Sequence, residues 1–78
     1  MTRFRFSPAP HDPGYYVTEY SREQVIGRVW KDEEEGWLWE HYGTPANRRY
    51  GYRPGFDTRE QAAESLASYN RRAEMGWE

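Results

Sequence analysis

Between Tyr15 and Arg53 apolar and polar positions alternate with a period of two, and beyond Phe56 the period becomes helical. "YYVTEY", "QVIGRVWK", "WLWEHY" and "RRYGYR" are short runs rich in aromatic and β-branched residues, which suit a pleated, half-buried surface. The segments between them, "DEEEG" and "GTPAN" above all, hold the Gly, Pro and Asn that tight turns require. These runs predict strands, with "DEEEG" as the solvated tip of a hairpin closed by Gly36. Gly27, inside its strand, predicts a bulge or a close backbone approach. Pro54 and Gly55 are read as the stop of the last strand.

The helical part begins at Thr58, which forms a capping box with Gln61. Ala62, Leu66, Tyr69 and Ala73 recur at helical spacing, with Ala63 and Ala67 beside them, as one apolar stripe. Gly76 is the expected terminator, with Trp77 folding back after it. A helix of about 17 residues would be roughly 25 Å long, enough to cross a small sheet. Its alanines let it approach closely, so Trp37 and Trp39, which share one strand face, are expected to fill the core. Leu38, Glu40 and Tyr42 then lie on the opposite face.

The fold class is therefore α+β, a three- to four-stranded antiparallel sheet on one C-terminal helix in the order β-β-β-α. Residues 1–14 contain "RFRF", a possible short strand, and then the proline-broken "SPAPHDPG"; they are expected to form an irregular arm before a single domain over 15–78.

Composition narrows the chemistry. A chain of 78 residues without cysteine has neither disulfides nor thiolate zinc sites to support a small core, so 4 Trp, 7 Tyr and 3 Phe must supply the packing. No apolar run is long enough to span a bilayer and no signal peptide is visible, which makes a cytoplasmic protein the default expectation. His11 and His41 stand 30 positions apart with no cysteine anywhere, no serine sits in a nucleophile elbow, and no phosphate loop is present. Neither an enzyme nor a metal, cofactor or small-molecule substrate is expected. The net charge of −2 hides a division: residues 32–47 carry five acids and no Arg or Lys, whereas six arginines follow.

The sequence of parts "GRVW", acidic hairpin, "WLWE", Gly/Pro/Asn turn, Arg-aromatic strand and "GFDTREQAAESLA" resembles a known architecture. It is similar to the three-stranded-sheet-plus-helix DNA-binding domain of plant ethylene-response (Apetala-two type) factors and of integrase arm-binding domains, and to small actinobacterial phage proteins of that shape. The resemblance covers about Gln24 to Asn70 and implies that the sheet enters the major groove, which admits a β-ribbon. It implies roles for Arg28 and Trp30 on one strand, for Glu40 as the middle-strand acid, and for Tyr42, Tyr50 and Tyr52 where the family has Arg or Trp. Arg28, Arg48, Arg49 and Arg53 would then reach phosphates. Asp32, Glu33, Glu34 and Glu35 depart from the family's basic hairpin and would repel phosphates. Arg53 also falls where a helix-facing apolar residue is expected, so either the register shifts there or the facing assignment is off by one.

Three readings follow. The exposed sheet face binds DNA, or the same face of a phage-type modulator binds a host protein through residues enriched in interface hot spots. Alternatively the arm, with Phe4, Phe6, Tyr15 and Tyr16, folds over this face and buries it.

Overall fold

The computed structural model describes residues 4–11, 13–20, 23–42 and 52–74. Five strands precede one helix: β1 Phe4–Pro8, β2 Tyr15–Glu19, β3 Gln24–Asp32, β4 Gly36–His41, β5 Tyr52–Phe56 and α1 Arg59–Glu74. The strands form one antiparallel sheet in the order β1-β2-β3-β4-β5, with α1 on one face. The α+β class and the C-terminal helix agree with the sequence. No described helix is long and apolar enough to cross a membrane.

Five strands replace the expected three to four. "RFRF" opens a paired strand, from Phe4 opposite Glu19 to Pro8 opposite Tyr15, so the first fourteen residues are not an irregular arm throughout. The cause is the alternation of Phe4 and Phe6, which sends both rings to the helix side beside Val17. The prolines act only after Pro8, where the ladder ends. β5 also differs from the expected strand at 48–53. It runs through Pro54 and Gly55 to Phe56, while residues 48–51 lie outside the described residues. An edge strand tolerates a proline whose missing N–H would face solvent. Gly55, at φ +100°, absorbs a register shift opposite Trp37 to Trp39 and donates its N–H to the Glu35 carbonyl at 3.0 Å.

Between sheet and helix, Phe4, Val17, Ile26, Val29 and Trp39 meet Ala62, Ala63, Leu66 and Ala67 in one buried cluster. The expected division holds: the helix supplies small side chains and the strands supply large ones, with Trp39 2% exposed. Gly27 fulfils both of its expected roles. A register shift makes Ile26 the extra residue facing Thr18 and Val17, and Leu66 packs where a Gly27 side chain would stand. At the helix start the Gln61 N–H donates to Thr58 Oγ1 at 3.1 Å, and Gln61 Oε1 accepts from the Asp57 N–H at 3.0 Å, one residue before the cap. Arg59 then lies over the rings of Phe6 and Tyr15, 4.3 and 4.9 Å from their centroids, tying the helix to the outer strands. Gly76 and Trp77 lie outside the described residues.

His41 and Asn70 add a polar contact to this interface. The His41 Nε2 and Asn70 Oδ1 atoms are 2.7 Å apart, both residues are buried, and the imidazole stands edge-on to Tyr69 with centroids 5.0 Å apart. Truncating Asn70 removes a hydrogen bond at a buried ring nitrogen. Asn70→Ala is expected to destabilise the domain by about 1–3 kcal/mol, read as a fall in the urea midpoint with an unchanged slope; a midpoint equal to wild type would contradict the pairing.

Candidate functional site

The outer face of the sheet, opposite α1, gathers most of the residues singled out from the sequence. Strand alternation sends Arg28 and Trp30 of β3, Leu38 and Glu40 of β4 and Tyr52 of β5 outward. Arg28 lies opposite Glu40 on one side and opposite Tyr16 on the other. Trp30 lies opposite Leu38, and Tyr52 opposite Glu40. No described helix or strand crosses this face, because β1 and β2 extend the sheet sideways. Of the four rings proposed as a cover, Phe4, Phe6 and Tyr15 join the helix-side core. Tyr16 belongs to the outer face itself.

These side chains form a packed layer. Neighbouring strands are about 4.8 Å apart, so β3 and β5 are separated by roughly 10 Å across β4. Yet the Trp30 and Tyr52 ring centroids are only 6.3 Å apart. Both rings therefore lean inward over β4, and Leu38 beneath them is 1% exposed. The Arg28 guanidinium sits 4.1 Å from the Trp30 ring centroid and donates through Nη1 to the Pro13 carbonyl at 3.0 Å. Gly14, at φ +93°, brings the backbone before β2 against Trp30, where a side chain would collide with the Val29 carbonyl. Tyr16 meets Tyr42 edge to face at 6.2 Å. Tyr42 and Tyr52 remain 46% and 41% exposed.

One end of this layer is acidic and built. Asp32 Oδ2 accepts the N–H groups of Glu34 and Glu35, each at 3.0 Å, which shapes the hairpin tip. Gly36 closes the tip at φ +74°, as its place in the sequence predicts. Tyr52 Oη donates to Glu35 Oε1 at 3.3 Å. The phenol is held above its ordinary value of 10.0, first by partial desolvation, then by the Glu35 charge and hydrogen bond, and by Asp32. It stays protonated, and able to donate, across neutral pH. The acid run is thus joined to the aromatic layer through Tyr52.

Of the sequence candidates, Arg28, Trp30, Glu40, Tyr42 and Tyr52 come together here. Arg53 does not: it pairs with Trp39 and lies on the helix side, beside Ser65 and Arg72. This resolves the facing ambiguity at that position. Arg48, Arg49 and Tyr50 lie outside the described residues. Tyr16, Asp32 and Glu35 were missed as members of the site. Tyr16 could have been found by pairing "YYVTEY" with "QVIGRVWK", β2 with β3, which places it beside Arg28, whereas the Tyr52 to Glu35 contact joins β5 to the distant hairpin tip.

Fold and site together define a small sheet-and-helix domain with an aromatic, partly acidic outer face. The chain matches no protein-family model, no curated protein and no solved structure. The resemblance to the three-stranded DNA-binding domains thus rests on the order of parts in the sequence alone.

Proposed function

We propose that the domain is a non-enzymatic protein-binding module whose outer sheet face docks a polypeptide segment bearing Lys or Arg beside an apolar side chain. The observation that carries this is the continuity of the Arg28, Trp30 and Tyr52 stack with the carboxylates of Glu35, Asp32 and Glu40. The rings are held in place before binding, so little side-chain entropy is lost on contact. The acids steer a cationic partner and disfavour a phosphate backbone. Arg28, the guanidinium at the centre of the face, already spends one donor on Pro13 and stacks on Trp30. This reading favours the modulator of a host protein over the DNA-binding domain.

Affinity capture from a host lysate, with identification of what is retained, tests it against Trp30→Ala and Tyr52→Ala after a far-UV spectrum has shown each variant folded. Each truncation is expected to weaken the identified complex by about 2 kcal/mol or more, roughly thirtyfold in Kd. The segment in contact is expected to be basic, with binding that weakens as salt rises. A partner held equally by wild type and both variants would exclude this face.

A further inference from the structure

The helix side holds a second cluster, unconnected with the outer face. Between β5 and the C-terminal half of α1 runs a shallow groove lined by Trp39, Arg53, Ser65, Ser68, Tyr69 and Arg72. Its origin is partly in the register: Arg53 stands opposite Trp39, where a sheet resting on a helix ordinarily places an apolar side chain. The rest is helical spacing, because Ser65, Ser68, Tyr69 and Arg72 recur every three or four residues along one side of α1. The lining residues include two arginines and two serines, with no carboxylate among them. Trp39 is 2% exposed, and its Nε1 is fully buried without a hydrogen-bond partner among the described residues. Two cations facing one groove without an acid repel each other.

We propose that this groove binds a phosphate group. The Arg53 and Arg72 forks take its oxygens and the hydroxyls of Ser65 and Ser68 add neutral donors, beside the Trp39 indole that forms part of the wall. A carboxylate is satisfied by one bidentate guanidinium, whereas two forks with flanking hydroxyls match the larger number of phosphate oxygens. The groove is a concavity on the helix side, sized for one phosphate and not for a run of them.

The test is a ¹H–¹⁵N spectrum of the full chain titrated with inorganic phosphate, with chloride at matched ionic strength, and with a short duplex DNA at equal phosphate concentration. Phosphate is expected to move the assigned Trp39 indole resonance saturably, while chloride and duplex leave it in place. Arg53→Gln and Arg72→Gln, both at exposed positions that the fold does not need, are each expected to weaken phosphate binding by about tenfold or more. Arg71→Gln, next to the groove but not lining it, should retain wild-type binding. No shift with phosphate, an equal shift with chloride, or an Arg71→Gln variant as impaired as Arg72→Gln would overturn the site. A duplex that moves the indole more than free phosphate would overturn the single-phosphate assignment.

Discussion

Trp39→Ala is expected to unfold the domain or leave it barely folded. The indole is almost fully buried between sheet and helix and packs on Tyr69 with ring centroids 5.1 Å apart. Removing it deletes the largest fully buried side chain among the described residues, and the alanines it faces cannot grow into the space. Such truncations cost about 3–5 kcal/mol. A domain of this length holds about 4–12 kcal/mol in total at roughly 0.05–0.15 kcal/mol per residue. Thermal unfolding followed by far-UV circular dichroism reads the result. A variant melting within a few degrees of wild type would mean that Trp39 is not the centre of the core.

Gly27→Ala is the second large effect, from the smallest possible change. A methyl group at this position would stand 2.2 Å from the Glu40 carbonyl oxygen and 3.0 Å from Leu66 Cδ2. The first neighbour is backbone of the adjacent strand and cannot rotate away, so β3 and β4 must part or the helix must lift. Overpacking of this kind costs about 1–3 kcal/mol, and more where backbone must move. The expected result is a lower urea midpoint for Gly27→Ala, partly recovered when Leu66→Val is added to make room. A midpoint at or above the wild-type value would show that neither the Glu40 backbone nor Leu66 closes on Gly27.

The two effects show which parts of the fold could be read before any coordinates. Alanines at helical spacing beside tryptophans at strand spacing specify a helix pressed onto a sheet, since each pattern leaves a volume that only the other fills. Gly27 was legible because a glycine inside a strong strand pattern has few other uses. Thr58 and Gln61 were legible because capping is local chemistry.

Less legible were features set by pairing between distant residues. Phe4 and Phe6 are too few to distinguish a strand from an arm, and their alternation gains meaning only when Val17 and Tyr15 lie alongside. Pro54 and Gly55 read as a stop by propensity, but an edge strand with a bulge has no use for the N–H that proline lacks. Arg53 faces the helix by plain alternation opposite Trp39, as its place in the strand pattern indicates, so the candidate site loses it. The site gains Tyr16, Asp32 and Glu35 through contacts between strands and turn, which no local rule supplies. The acid run changed meaning as well: from a solvated tip it became a turn organised by Asp32 and bonded to the aromatic layer.

Binding of a basic segment by that layer is read by a residue-resolved titration. Amide and indole resonances of the full chain would be followed with a short peptide alternating arginine and leucine, and with a duplex DNA, each at low and at physiological salt. The peptide is expected to move the Trp30 indole and the Tyr42 and Tyr52 amides, more at low salt, and to leave Ala62 and Leu66 of the helix in place, while the duplex moves none of them. A duplex that shifts the outer-face resonances in a salt-dependent way, with the peptide inert, would contradict it and return the sheet to the DNA-binding reading.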